Sequence, residues 1–322
     1  MSRNLLKKSW QCIRSSHLGV RYFVVLLLVF LVLLNVFFQW SQGPIAMAQA
    51  IGIGDETTAQ RIFSERVLPW SEPKIHWLGH ATMLLEWESQ RILLDPYFGN
   101  FCTLAPRRWV LPCDPKNLGT IDMVILSHAH RDHFDPSSLD KIPHIVKLLI
   151  PRGTRLWLGE LKHVDEVLEV SPEQQVTMGR LKLTAIQMDH GGHRQHPLKN
   201  SPYPSLGYMF QDSLHCIFWA GDTGVQMPLQ DLKRRFHPDA AILPIGSYLP
   251  SWPVGRAHLN PHQALDWAAE LGLEWVMPSH FGTFRLAWDK TDEALPWFLK
   301  EASERKINVA LAKALPTMNM NP

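Results

Sequence analysis

A short histidine-rich segment, Ser-His-Ala-His-Arg-Asp-His at residues 127–133, has the composition of a metal-binding site. It directly follows an apolar run that is typical of a buried strand. His128 and His130 are two residues apart and can face the same ion, whereas Asp132 and His133 turn toward a neighbouring position. Imidazole and carboxylate ligands together suit zinc, manganese or iron. We therefore predict a metal centre in this segment.

Three later strand ends offer further ligands, because one loop cannot complete two coordination shells. In each case a ligand-type residue follows the predicted strand, with a glycine nearby that permits close approach of the backbone. These residues are His190, Asp222 and His280. His193 and His196 lie in the same loop as His190 and compete with it for the same ligand position.

The elements that position these residues can be predicted from apolar patterning. Short apolar runs separated by turn residues predict strands. They lie at 75–78, 81–87, 91–95, 123–127, 156–158, 181–188, 216–220, 240–244 and 275–278. Helical spacing occurs at 161–170, 260–272 and 293–305, and Asn260, Pro261 and Gly272 provide cap signals for the second of these helices. Strands first and helices interleaved later predict an α/β domain with two sheets covered by helices.

The His-x-His-x-Asp-His pattern at 128–133 resembles the signature of the metallo-β-lactamase fold. The resemblance implies a four-layer αββα sandwich with a dinuclear metal centre along one edge. Five more segments resemble the subgroup that contains N-acylphosphatidylethanolamine-hydrolysing phospholipase D and its bacterial relatives. They are WLGHAT at 77–82, LDP at 94–96, FWAGDTG at 218–224, LPIGSY at 243–248 and HFGTF at 280–284. The resemblance covers about residues 70–300.

The resemblance also implies roles for individual residues around two divalent ions, for which Zn²⁺ is the expected metal. The first ion would be held by His128, His130 and His190, with His193 as the alternative to His190. The second would be held by Asp132, His133 and His280, with Asp222 bridging the two ions. His258 resembles a family histidine near the substrate, so that Asp132, Asp222 and His258 are the expected catalytic residues.

Two other polar residues at predicted strand ends have weaker assignments. Asp95 can orient a ligand imidazole by accepting its second N–H, although a turn-forming Asp-Pro is an equal alternative. His80 is interpreted as a buried hydrogen-bonding residue rather than as a ligand.

Two ions sharing a water lower its pKa from ~15.7 toward neutrality, which supplies a bridging hydroxide. The resemblance implies a phospholipase D-like phosphodiesterase that cleaves N-acylphosphatidylethanolamine or a related glycerophospholipid. Two alternatives stay open. One is a lactonase acting on a small acidic or phosphorylated metabolite. The other is a non-hydrolytic di-iron or metal-sensing protein, although no flavin or rubredoxin-like segment is visible in the sequence.

The N-terminal region differs from the rest of the chain. A basic leader at 1–21 precedes an apolar run at 22–40, which predicts a transmembrane anchor with a cytoplasmic N-terminus. A cleaved signal peptide is the main alternative. Residues 41–69 are interpreted as a linker and 70–322 as the hydrolase domain. Together with the resemblance to bacterial relatives, this arrangement predicts a location in a bacterial inner membrane with the catalytic domain on the periplasmic side, or free in the periplasm after cleavage.

The composition of the 322 residues limits the remaining possibilities. Apolar residues make up 46% and charged residues 19%, so a large core can be buried. A net charge of +2 gives no basis for nucleic-acid binding. None of the four cysteines forms a C-x-x-C pair, which argues against a thiolate zinc site. Cys102 and Cys113 would form a disulfide if that face of the protein is oxidising.

Overall fold

The computed structural model describes residues 26, 27, 29, 30, 68–109, 111–192, 194, 203–252 and 254–311. The chain divides into two compact units, residues 1–43 and 44–322. In the first unit, the four described residues are helical and exposed. No helix within the described ranges combines the length and apolar character needed to cross a bilayer. The predicted anchor and linker lie almost entirely outside these ranges.

The first eight strands are β1 (Lys74–Gly79), β2 (Thr82–Trp87), β3 (Gln90–Leu94), β4 (Phe101–Cys102), β5 (Ala105–Pro106), β6 (Thr120–Ile125), β7 (His144–Pro151) and β8 (Val164–Val170). Six of them form one mixed sheet in the order β1-β2-β3-β6-β7-β8. The first three strands are antiparallel, and β3, β6, β7 and β8 run parallel. β4 and β5 form a separate small ribbon.

The second sheet contains the remaining strands, β9 (Gln175–Met178), β10 (Leu181–Gln187), β11 (Leu206–Gln211), β12 (Cys216–Trp219), β13 (Ala240–Pro244) and β14 (Trp275–Ser279). Their order is β14-β13-β12-β11-β10-β9. β12, β13 and β14 run parallel, whereas the other pairs are antiparallel. Because β6, β12 and β14 end at residues that precede the predicted ligands, the strand directions decide where those ligands meet.

Alternation along the strands divides the apolar side chains between two cores. On β2, Met83 and Leu85 join the larger cluster, which includes residues of both sheets, whereas Leu84 between them joins the smaller one. Ile92, Leu93 and Leu94 on β3 alternate in the same way. Successive side chains of a strand point to opposite faces, so the first sheet is covered on both sides. Each fully buried large apolar side chain contributes about 1.5–3 kcal/mol.

The described part of residues 68–311 contains four α-helices: α1 (Pro136–Leu139), α2 (Leu229–Phe236), α3 (Pro261–Leu271) and α4 (Ala294–Arg305). α3 packs against β13, and both α2 and α4 pack against α3. Asn260 begins α3 with a reciprocal capping box, because its side chain accepts from the Gln263 N–H and the Gln263 side chain accepts from the Asn260 N–H. Gly272 ends α3 in the left-handed conformation (φ 73°). The helix predicted at 260–272 is therefore present with its predicted caps.

The outer layer on the first sheet is thinner than the four-layer expectation. Within the described ranges, the smaller core there is closed by α1, by two 3₁₀ segments (Pro115–Leu118 and Thr154–Trp157) and by irregular chain carrying Phe98 and Phe134. The two mixed sheets share a core, which agrees with the fold that the resemblance implies. In the described part of the chain, the longer helices lie on the side of the second sheet, where α3 contacts β13 and carries α2 and α4.

Two sequence interpretations were wrong. The helix predicted at 161–170 is strand β8, which pairs in parallel with β7. Its valines recur every third residue, which imitates helical spacing, and pairing with β7 determines its structure. The strand predicted at 156–158 lies mostly in the 3₁₀ segment Thr154–Trp157. The sequence left the Cys102–Cys113 pairing open, and in the structure both residues are free thiols.

Candidate metal centre

The predicted ligands come from the ends of strands in both sheets. The segment 127–133 follows β6, and His190 follows β10. Asp222 and His280 follow β12 and β14. The two sheets also join at this edge, since His80 after β1 forms an antiparallel bridge with Phe281 after β14. Side chains that are distant in the sequence therefore meet at one edge of the sandwich.

The first cluster consists of His128, His130 and His190. His130 Nδ1 lies 2.9 Å from His128 Nε2 and 3.1 Å from His190 Nε2. Burial, followed by the neighbouring imidazoles, lowers the pKa of His128 well below its usual range and that of His130 to about 4. The rings are therefore neutral, as metal ligands must be. Nitrogens ~3 Å apart match two ligands of one ion with bonds of ~2.0–2.1 Å.

His190 is held by the loop that precedes α3. Its Nδ1–H donates to the Ala257 carbonyl at 2.8 Å, which leaves the Nε2 lone pair directed at the first cluster. Burial lowers the pKa of His190 as well. Its competitors from the sequence, His193 and His196, lie outside the described residues.

The second cluster consists of Asp132, His133, His280 and, in addition, His80. Asp132 Oδ2 lies 3.3 Å from His133 Nε2 and 3.3 Å from His280 Nε2. It also lies 3.0 Å from His80 Nε2. Burial lowers the pKa of His280, but the Asp222 and Asp132 carboxylates outweigh burial and raise it to about 9. The second cluster thus contains a carboxylate among its imidazoles, whereas the first consists of imidazoles alone.

Asp222 lies between the two clusters and is 1% exposed. Its Oδ2 is 3.1 Å from His133 Nε2 and 3.3 Å from His280 Nε2 on one side. On the other side it is 3.9 Å from His128 Nε2. A single carboxylate oxygen is thus close to nitrogens of both clusters, which is the position expected of a bridging ligand.

The buried polar atoms of this site fit divalent cations. His133 Nε2, His280 Nδ1 and Asp222 Oδ1 are buried without a hydrogen bond. An unsatisfied buried polar atom costs about 1–3 kcal/mol. Burial lowers the pKa of His133, yet Asp222, Asp132 and Asp95 outweigh it and raise that pKa well above its usual range. A buried carboxylate cluster that favours a positive charge would be stabilised by a metal ion.

Asp95 supports the ligands from behind, as one of its two sequence interpretations proposed. Its Oδ2 lies 2.7 Å from His133 Nδ1. The Ser127 N–H donates to Oδ1 at 2.7 Å, and the Ser127 hydroxyl donates to Oδ2 at 2.6 Å. The oxygen of that hydroxyl also lies 2.8 Å from His128 Nδ1, whose N–H can donate to it. Asp95 therefore fixes a histidine of the second cluster directly and one of the first cluster through Ser127.

Comparison with known proteins identifies the family. Residues 90–281, well over half of the chain, match the Beta-lactamase superfamily domain. The chain belongs to this superfamily. With its fold and its His/Asp clusters, it is a metal-dependent hydrolase of the metallo-β-lactamase type.

Two relatives and one solved structure illustrate the similarity. The N-acyl-phosphatidylethanolamine-hydrolyzing phospholipase D of Saccharomyces cerevisiae mitochondria is 30% identical over 66% of this chain and 48% of its own length. A metal-dependent hydrolase of Methanosphaerula palustris is 28% identical over 72% of this chain and 92% of its own. The isothiocyanate hydrolase from Delia radicum gut bacteria shares the fold, with a TM-score of 0.60, 19% identity and coverage of 75% and 97%.

In this metallo-β-lactamase-type hydrolase, His258 lies beside the clusters. Its ring centroid is 5.0 Å from that of His190 and 5.5 Å from that of His280. Its Nδ1 is buried without a hydrogen bond, 3.7 Å from Asp222 Oδ2. Burial lowers the pKa of His258 to about 3, so its ring is neutral. It can therefore offer a nitrogen either to an ion beside His190 and Asp222 or to a bound substrate.

A polar pocket of about 370 Å³ opens next to His190 and is lined by Asp189, Gln226 and Arg256 among others. Its loops are tightly joined, because the Gly224 N–H donates to the Asp189 carbonyl at 2.7 Å. A side chain at residue 224 would place its Cβ 2.2 Å from the Arg256 carbonyl oxygen, so only glycine fits. This pocket was missed in the sequence because its residues come from three separate loops.

The sequence also contains no sign that two exposed loops close to His280, one after β13 and one after β14, are joined to each other. The Trp288 N–H donates to the Leu249 carbonyl at 3.0 Å, and the Ser247 N–H donates to Asp289 Oδ2 at 3.0 Å. Together the loops expose four large apolar side chains: Leu249, Trp252, Leu286 and Trp288. We refer to these four residues as the tryptophan edge.

Proposed function

We propose that the chain is a two-metal phosphodiesterase of the phospholipase D type, acting on N-acylphosphatidylethanolamine or a related glycerophospholipid. The position of Asp222 Oδ2 carries the two-metal part of the proposal. It lies 3.1 Å and 3.3 Å from two nitrogens of one cluster and 3.9 Å from a nitrogen of the other. Imidazole-rich ligands in both clusters make Zn²⁺ the proposed metal.

When bound, two divalent ions would activate water at neutral pH and offset the negative charge that builds on the phosphate. The chain's own residues provide the framework for this chemistry. Asp95 and Ser127 fix the ring orientations of His133 and His128. His258 directs an unpaired Nδ1 into the same space, where it can hold one hydrogen bond to the substrate. In the hydrolysis, the water oxygen bonds to phosphorus, the bond from phosphorus to the headgroup oxygen breaks, and the headgroup alcohol takes the proton.

Two observations support a lipid substrate. The yeast relative is named for hydrolysis of N-acyl-phosphatidylethanolamine, and it matches 66% of this chain. The tryptophan edge exposes Trp252 by 71% and Trp288 by 69% in loops joined near His280. Tryptophan side chains are favoured at membrane–water interfaces, so this edge would bring the site to the bilayer surface.

The predicted anchor at 22–40 suits the same substrate, because it would hold the domain at a bilayer. We propose a single-pass protein with a cytoplasmic N-terminus and a periplasmic catalytic domain, based on the basic leader that precedes the apolar run. A protease-protection assay on membrane vesicles tests this orientation.

The polar pocket favours a second candidate, a lactonase acting on a small acidic or phosphorylated metabolite. A volume of about 370 Å³ suits a small ligand, and Arg256 at the pocket can pair with a carboxylate or phosphate. The pocket is too small to hold two acyl chains, so a lipid would have to place its chains elsewhere, along the tryptophan edge.

The deciding experiment uses the full chain loaded with Zn²⁺. Hydrolysis of N-acylphosphatidylethanolamine and phosphatidylethanolamine in mixed micelles is measured beside a soluble phosphodiester reporter and a set of acidic lactones. We expect release of phosphatidic acid and the headgroup alcohol. Lactone turnover without phosphodiester turnover would replace the first candidate with the second.

A further inference from the structure

His80 is a buried histidine held in an unusual backbone conformation at the junction of the two sheets. It is 1% exposed and has φ 56°, in the left-handed region that non-glycine residues rarely adopt. Its N–H donates to Thr283 Oγ1 at 2.6 Å. Its carbonyl accepts from Trp77 Nε1 at 2.8 Å and from the His280 N–H at 3.1 Å. The backbone of the residue is therefore fixed from β1 and from the segment after β14.

The side chain of His80 points into the second cluster. Its Nε2 lies 3.0 Å from Asp132 Oδ2, and its ring centroid is 4.1 Å from that of His280. The Phe284 ring packs edge-on against the imidazole at 5.5 Å, so its apolar neighbour limits rotation. Strained backbone conformations are retained where the surroundings determine them and where they serve a site.

Asp132 is the residue that needs such support. It lies within the loop after β6 and not directly at the strand end. Its Oδ2 is close to His133 and His280 as well as to His80. A ligating carboxylate is itself held by an outer hydrogen bond, and losing that bond weakens metal binding by about 10–100-fold. Among the described residues, His80 is the neighbour of Asp132 that is not already assigned as a ligand.

We propose that His80 is a positioning residue for the second ion. Its Nε2–H donates to Asp132 Oδ2 and keeps this carboxylate directed toward His133 and His280. The backbone of His80 is hydrogen-bonded on both sides of the junction between the sheets, and this fixes the position of its side chain at the metal site. This inference rests on the proposed two-ion centre but not on the lipid substrate.

Two variants that differ by one methylene test the role. His80→Gln keeps an amide N–H near the position of Nε2, whereas the shorter His80→Asn does not reach Asp132 and tolerates the left-handed backbone. Stepwise Co²⁺ and Zn²⁺ titration of the full metal-free chain measures the affinity of each ion. We expect His80→Asn to weaken the second ion by about 10–100-fold and His80→Gln to stay within a few-fold of the unmodified protein. His144→Asn, at a partly exposed histidine that begins β7 and belongs to neither cluster, is the matched control.

The Co²⁺ absorption spectrum separates a positioning residue from a ligand. We expect the visible bands of the two-Co²⁺ protein to be the same in His80→Gln and in the unmodified chain. Equal losses of affinity in both variants with shifted bands would make His80 a ligand, and unchanged affinity in both would make it a packing residue. Either result overturns the proposal. Binding of one ion by the unmodified chain would overturn the two-ion centre too, whereas two ions without lipid turnover contradicts the substrate alone.

Discussion

Asp95 Oδ2 lies 2.7 Å from His133 Nδ1, and this contact joins the end of β3 to the loop that follows β6. Both side chains are fully buried. The same carboxylate accepts from the Ser127 hydroxyl, which in turn faces His128. Asp95 is not itself a predicted ligand, yet it orients one imidazole of each cluster, His133 directly and His128 through Ser127.

Asp95→Asn should therefore weaken the binding of both ions rather than of one. The amide keeps the shape, but its nitrogen takes the place of Oδ2, the oxygen that contacts both His133 Nδ1 and the Ser127 hydroxyl, and a nitrogen that only donates loses both contacts. We expect each metal affinity to fall by about 10–100-fold, measured by titration of the metal-free chain. Asp165→Asn, which alters an exposed pair with His144, is the control and should leave both affinities unchanged. Loss of only one ion would contradict the double role of Asp95.

Asp222→Ala tests the bridging position. Removing a carboxylate that is shared by both clusters should lower turnover by about 10²–10³-fold or more, since a preorganised charge at the reacting centre is lost. The measurement is kcat for the best hydrolysed substrate, with metal content determined on the same sample. Asp231→Ala on the exposed face of α2 provides the comparison. Full activity in Asp222→Ala would exclude a bridging role.

The assignment of His190 over His193 is directly testable. His190 Nε2 lies 3.1 Å from His130 Nδ1 and its Nδ1 is tied to Ala257, whereas His193 is outside the described residues. We expect His190→Ala to lower the affinity for the first ion by at least about tenfold, as removal of a ligand removes more than an outer contact. His193→Ala should bind two ions like the unmodified chain. The opposite pattern would transfer the ligand role to His193.

The tryptophan edge gives a prediction that separates membrane docking from chemistry. Replacing Trp252 and Trp288 by alanine together should lower turnover of phospholipid in vesicles by about tenfold, which corresponds to ~1.4 kcal/mol of interfacial binding. Turnover of a soluble phosphodiester should not change, because neither tryptophan belongs to the ligand clusters. Leu214→Ala is the control, since this side chain is 79% exposed in the β11–β12 turn at the opposite end of the sheet. Equal losses on both substrates would argue against docking.

The parts of this site that could be predicted were those with a local signature. His128, His130, Asp132 and His133 are adjacent in the sequence, and a strand end is visible before each of His190, Asp222 and His280. His80 was interpreted as a hydrogen-bonding residue, which its contact with Asp132 agrees with. Its place within the second cluster depends on the β1–β14 junction, a contact between residues about 200 positions apart that leaves no local pattern. β8 shows the converse, because its local spacing is typical of a helix and only its pairing with β7 makes it a strand.

Metal removal should destabilise the domain because the buried carboxylates and unpaired nitrogens of the centre lose their counter-charge. An ion present at 100 times its dissociation constant stabilises the folded state by about 2.7 kcal/mol. For a domain of this size each kcal/mol shifts Tm by about 2–4 °C, so chelation of one such ion should lower Tm by about 5–11 °C. Differential scanning calorimetry of the full chain, with and without chelator, measures this shift, and added Zn²⁺ should reverse it. Asp222→Ala, which lacks the shared carboxylate, should show a smaller response to chelator than the unmodified chain, because less of its stability derives from bound metal.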